Sequence, residues 1–297
     1  PQIERLAISE TALNERIAAV TSRNYRATLG STPGLLDLFK VLVAPLSWMT
    51  KPECLLVLCP MGAIGSLPLH ALQIDGHPLI VRNPIIMVPN HAVGLEGWSG
   101  PSATEDAAIF GDPTSDLING SEVLQTLTAR LGTASITGPN VTISAIQAAM
   151  ASARLIHYHG HAWHDQLAPL ASALDLAAGP MTAADVISGA GTPAELVVLG
   201  ACESGVTKIG RGNEANGLTQ AFLLRGVARV ISTLWTTSEK AANTYVDAFY
   251  GQLAVTDVIT AHRTALCNAI DTFGADRPDL WAPFILSGRL TLAKETS

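Results

Sequence analysis

Residues 194–201, AELVVLGA, are apolar but for Glu195, of strand length, and read as the strongest strand in the chain. Runs of similar size recur at 54–59 (CLLVLC), 107–113 (AAIFGDP), 154–160 (RLIHYHG), 227–235 (VARVISTLW) and 283–290 (PFILSGRL). Between them lie stretches with apolar residues at three- and four-residue spacing, the pattern of amphipathic helices: 121–132 (closed by Gly132), 142–153, 181–187, 215–226, 238–253 and 257–270. Strands alternating with helices predict an α/β domain with a largely parallel sheet covered by helices on both faces. In such sheets, sites form at the carboxyl ends of the strands. Upstream, 3–29 and 34–48 read as two helices broken at Pro33-Gly34. Residues 53–60 suit a buried strand, 78–89 a hairpin or two short strands, and 98–107 a polar loop.

The chain has 297 residues, room for one large domain or two modest ones. Only 14% of them are charged, against about a quarter in an ordinary soluble domain, so another part of a longer protein is expected to cover some of the surface. An initial Pro rather than Met points the same way. The expected organisation is a helical lead-in, 1–50, and a main domain, 51–297. The echo between ECLLVLCPMG and ELVVLGACESG hints at related halves, 51–140 and 141–297. Net charge is −7 with no cluster of Lys or Arg, which leaves nucleic-acid binding without a footprint. No apolar run approaches the roughly 20 residues of a membrane helix. The first residues show a helical pattern rather than a signal peptide. None of Cys54, Cys59, Cys202 and Cys267 forms a CxxC pair, so free thiols in a reducing, cytoplasmic setting are expected.

Two strand ends carry chemistry. The strand at 154–158 runs into HGHA, which places His161 in the turn beyond it. The strand at 195–200 runs into ACESG, which places Cys202 in a similar turn. At a common edge, an imidazole can take the thiol's proton and return it to a leaving amine. A buried strand-end cysteine is the plainer alternative for Cys202. A second alternative is metal binding, because His157, His159 and His161 alternate on a strand and share a face. That stretch also resembles the HxHxDH signature of metallo-β-lactamase-like hydrolases, but His161 stands where the signature has Asp, and His164 comes late. The glycines of 205–217 match no phosphate-binding pattern and read as a loop near the active site.

LIHYHGHA, then AELVVLGACESG, then NGLTQAFLLRGVARVISTLW resemble the CHAT peptidases, caspase-like cysteine proteases related to separases and often fused to TPR repeats. LLVLCPMGAIGSLPLHAL (55–72), GDPTSDLINGSEVLQTL and the closing WAPFILSGRL extend the likeness over roughly 34–290. The resemblance implies a caspase-like α/β fold and a cysteine endopeptidase acting on a protein substrate without a cofactor or metal. Cys202 would be the nucleophile and His161 the general base and acid. The backbone N–H groups of Ala162 and Cys202 would hold the oxyanion. Relatives carry Gly after the catalytic His, so Ala162 would be restricted if that position needed a positive φ, and Gly160 could absorb the turn instead. His157 takes the family's earlier His and, with Gly160 and Glu203, a supporting role; His159 and His164 match no catalytic position.

Glu239 stands where separases have an Asp that binds a basic P1 side chain. Trp235, Thr237 and Ser238 would line the same pocket. The plainer alternative for Glu239 is an acidic residue favoured by a helix N-terminus. The resemblance also implies regulation by a TPR or other sensor region outside these residues. The competing functions are a catalytically silent CHAT interaction module and a metal-dependent hydrolase built on His157–His161.

Overall fold

The computed structural model describes residues 8–20, 29, 35–89, 98, 100–117, 120–165, 168–201, 208–209 and 215–290. Eight strands form one sheet: β1 (Leu56–Leu58), β2 (Ile85–Met87), β3 (Glu105–Gly111), β4 (Ser135–Thr137), β5 (Ala153–Gly160), β6 (Leu196–Ala201), β7 (Arg229–Thr233) and β8 (Phe284–Gly288). Their spatial order is β1-β2-β8-β7-β6-β5-β3-β4. Every neighbouring pair is parallel except β7–β8. The predicted α/β sheet, largely parallel, is thus the one observed. Its two blocks run in opposite directions, and they meet at β7–β8. The carboxyl ends of β5 and β6 therefore share a rim, whereas β1 ends at the opposite edge of the sheet.

Helices cover both faces, as the alternating pattern requires. They are α1 (Glu10–Val20), α2 (Gly120–Leu131), α3 (Ile143–Ser152), α4 (Ala183–Ile187), α5 (Leu218–Arg225), α6 (Glu239–Leu253) and α7 (Val258–Phe273). Leu155, Leu196, Val198 and Ile231 join the core under α2, α6 and α7. Ile156, Tyr158, Val197, Leu199 and Val230 join the other core, under α3, α4 and α5. The two-residue repeat of the strand makes this division, and each fully buried aliphatic side chain contributes about 1.5–3 kcal/mol. Local chemistry sets the helix ends. Thr142 Oγ1 accepts from the Ala145 N–H at 3.1 Å, and Asp257 Oδ1 from the Ile259 N–H at 2.9 Å. Gly132, at φ 66°, follows α2.

Of the helix expected over 3–29, Glu10–Val20 is helical, and residues 3–7 and 21–28 lie outside the described residues. Three local expectations change, all within 34–89. The stretch 34–48 is a 3-10 helix, Leu35–Leu42, and a separate turn of α-helix, Leu46–Met49, because Pro45 has no N–H with which to continue the first. The strand within 53–60 is confined to Leu56–Leu58 and forms the sheet edge, with Val57 41% exposed rather than buried. In 78–89 a helical turn, Leu79–Arg82, precedes β2. The hairpin lies earlier, pairing Gln73–Ile74 with His77–Pro78 around Asp75 and Gly76, whose φ angles of 53° and 81° suit an Asp-Gly turn.

Candidate active site

The pairing of β5 with β6 sets the geometry of the rim. His157 lies opposite Val198, His159 opposite Gly200, and Gly160 opposite Ala201. The chain then leaves β5 into His161 and leaves β6 into Cys202. Cys202 and Glu203 lie outside the described residues.

His161 is half-exposed, and its Nε2 is 3.1 Å from Asp116 Oδ1. Asp116 sits in the turn after β3, the strand on the other side of β5. That turn is held by Asp112, whose Oδ1 accepts the N–H groups of Asp116 at 3.0 Å and Leu117 at 3.2 Å. Asp112 and Ser115 both take left-handed conformations, at φ 45° and 58°, which are costly for residues other than Gly. The Thr114 hydroxyl and the His161 imidazole together hold the Asp116 carboxyl below the usual carboxylate range. Asp116 escaped the sequence reading because nothing in the spacing ties GDPTSD to HGHA; parallel pairing of β3 with β5 joins them.

The backbone around His161 is fixed from beneath. The Tyr158 hydroxyl lies 2.9 Å from the His161 carbonyl and 2.7 Å from that of Asp175, sharing its one proton between them. Burial pushes the Tyr158 phenol far above its ordinary value, so it stays a donor. A Cβ on Gly160 would fall 2.5 Å from that hydroxyl, so this glycine is needed for close approach. Neither Gly160 nor Ala162 has a positive φ, so Ala in place of the family's Gly brings no backbone strain. The Asp175 N–H donates to the His161 carbonyl at 2.9 Å, and Ala162 lies opposite Leu174. That register makes Ala162–Leu174 a non-hydrogen-bonded pair and turns the Ala162 N–H away from the ladder.

Below the rim, on the α6 side, a cavity of about 150 Å³ opens between His157, His159, Gly200, Thr237 and Glu239, with His161 at its edge. His157 is fully buried, its Nδ1 2.7 Å from the Tyr250 hydroxyl. Burial, and the neighbouring His159, push its imidazole well below the ordinary value, so it stays neutral. His159 is 4% exposed, and its Nε2 is 3.5 Å from Glu239 Oε2. The His159 imidazole holds the Glu239 carboxyl below its usual range, against the burial that raises it.

The residues expected with Glu239 separate. Trp235 is 3% exposed, and its indole N–H donates to the Asp279 carbonyl at 3.1 Å, so its ring belongs to the core rather than to the cavity wall. Ser238 caps α6, its Oγ accepting the Ala241 N–H at 3.3 Å. Thr237 and Glu239 line the cavity. His159, which matched no catalytic position in the sequence, is part of the wall. His164 is apart from the other histidines, with Nδ1 3.0 Å from Ser172 Oγ. Among the described residues no three His, Cys, Asp or Glu side chains gather as metal ligands. The sequence run that suggested such a set is divided: His157 turns to Tyr250, His159 to Glu239 and His161 to Asp116.

No curated protein matches the sequence. Among solved structures, a chain of the Saccharomyces cerevisiae separase–securin complex aligns with a TM-score of 0.54 at 14% identity, covering 79% of this chain and 16% of that one. This chain therefore spans about a sixth of that relative's length. The Arg-specific cysteine proteinase gingipain R (RGPB) aligns with a TM-score of 0.53 at 14% identity, over 94% of this chain and 74% of that one. The complex of Porphyromonas gingivalis RgpB pro- and mature domains gives 0.50 at 14%, over 94% and 76%. At such identities the likeness is one of fold. The sequence match is more specific, because the CHAT domain model spans residues 33–289, from before β1 to beyond β8. By that match the chain belongs to the CHAT-domain family.

Proposed function

We propose that this chain is a cysteine endopeptidase in which Cys202 attacks the scissile carbonyl and His161 serves as base and then acid. The observation that carries the reading is the β5–β6 register: each residue lies one step past a paired position, Gly160 opposite Ala201, on neighbouring parallel strands. With Nε2 of His161 turned to Asp116, Nδ1 is left for the thiol. It takes the thiol proton as sulfur bonds to the carbonyl carbon, then passes it to the leaving amine as the thioester forms; water hydrolyses the thioester by the same route. The N–H groups of Ala162 and Cys202 hold the developing oxyanion, a contribution of a few kcal/mol. The cavity beneath the rim receives the P1 side chain, with Glu239 favouring Arg or Lys. A region outside these residues regulates the protease. No described helix is long and apolar enough to cross a membrane.

A peptide carrying a thiol-reactive warhead tests the chemistry. It is expected to label the wild type and not Cys202→Ala; equal labelling of both rejects the nucleophile. Positional-scanning peptides test the pocket: a preference for basic P1 residues that survives Glu239→Ala rejects Glu239 as its ligand.

A further inference from the structure

The cavity holds more unpaired polar atoms than a packed core tolerates. Among the described residues, no hydrogen bond reaches His157 Nε2, His159 Nδ1 or Thr237 Oγ1, all buried. His159 Nε2 and Glu239 Oε2 have only each other, at 3.5 Å. Buried polar groups are nearly always satisfied, so a cluster of unsatisfied ones around one cavity marks a place for a ligand. Gly200 keeps the space open, since a Cβ there would lie 3.1 Å from His159 Nδ1 and 3.3 Å from His157 Nε2.

The basic P1 reading, on which this inference rests, treats Glu239 as a free anion waiting for substrate. The geometry adds a rival: an imidazole already faces the carboxylate from inside the pocket wall. We propose that His159 is a specificity-determining residue that competes with the substrate for Glu239. Protonated, His159 neutralises the carboxylate and the pocket accepts uncharged side chains; neutral, it leaves Glu239 to a basic one. The charge balances: a basic side chain binding to the closed pair displaces one proton from His159 to solvent, and Glu239 stays anionic throughout.

Among the described residues, the other titratable groups lining the cavity are His157, His161 and Tyr245. His157 and Tyr245 remain neutral, because burial pushes the first well down and the second well up. The remaining one, His161, faces Asp116 at 3.1 Å rather than the His159–Glu239 pair.

The test measures binding by calorimetry on the full chain carrying Cys202→Ala, so that no turnover intervenes. The probes are two peptide amides alike except for a terminal Arg or its uncharged isostere citrulline. In this background the Arg-over-citrulline preference should fall by up to tenfold per pH unit as pH drops from about 8 towards 5. Binding of the Arg peptide at the acid end should release up to one proton. With His159→Gln the preference should become independent of pH, and with Glu239→Gln both preference and slope should vanish. A slope unchanged by His159→Gln, or a preference constant with pH before that substitution, overturns the proposal. Absence of binding by either peptide overturns it together with the pocket assignment. The nucleophile stands or falls separately, on labelling at Cys202.

Discussion

Acid should weaken this fold through two buried histidines outside the cavity lining, and the size of the effect can be worked out. His262, on α7, is fully buried with Nδ1 2.6 Å from the Tyr245 hydroxyl. Burial first, and His70 second, lower its pKa to about 3. His70 is also buried, edge-on to Trp281 with ring centroids 6.2 Å apart. Burial lowers its pKa to about 4, against a backbone hydrogen bond at Ala282 that raises it. Both folded values lie below the unfolded value of about 6.5, so the unfolded chain takes up protons first as pH falls. Their full contribution is present above pH 6.5 and is lost on the way down to the folded values. The slope is about 1.4 kcal/mol per pH unit for each group. Between pH 7 and 5 the loss is about 2 kcal/mol per imidazole, or about 4 for the two, out of a total stability of about 5–15 kcal/mol. Urea unfolding of wild type and His262→Gln at both pH values measures it. Glutamine still offers Tyr245 a hydrogen-bonding group but does not titrate. The variant should begin less stable at pH 7, yet lose about 2 kcal/mol less on acidification. If both proteins lose the same amount, the buried neutral imidazole is not the cause of the acid sensitivity.

Asp116→Asn should lower kcat about tenfold with KM little changed, because the carboxylate faces His161 from an exposed site and acts through it. A raised KM at constant kcat would assign Asp116 to substrate binding instead. Gly200→Ala should cost about 1–3 kcal/mol in urea unfolding and weaken binding of an Arg-ended peptide, since the new methyl crowds both imidazoles. Unchanged stability and binding would mean that the cavity is not as narrow as its geometry indicates. Ser238→Ala should cost about 1 kcal/mol through loss of the α6 cap and leave P1 preference unaltered. An altered preference would show that the hydroxyl serves substrate rather than helix.

Much of the architecture was legible in one dimension. The runs at 107–113, 154–160, 194–201, 227–235 and 283–290 all become strands of the main sheet, since each has the length and apolarity that demand burial. The helix from Glu239 to Leu253 was legible from its spacing and from acidic Glu239 at its start. Errors gathered in 34–89, where prolines and short elements leave no period long enough to read. There the Asp75-Gly76 turn was the available signal, and the structure shows it in use.

For the site, sequence alone determined residue types and order: a His and a Cys, each just past an apolar strand, in a succession of motifs shared with one family. Those features are local, because a strand's length and the turn that ends it depend on neighbours in the chain. Only the tertiary structure decided which partners the histidines face. His161 meets Asp116 because β3 pairs with β5, and His159 meets Glu239 because α6 lies over that face of the sheet. Trp235 left the pocket for the core by the same means, through packing against Asp279. Contacts between residues tens of positions apart are set by strand order and helix placement, and no local period encodes either.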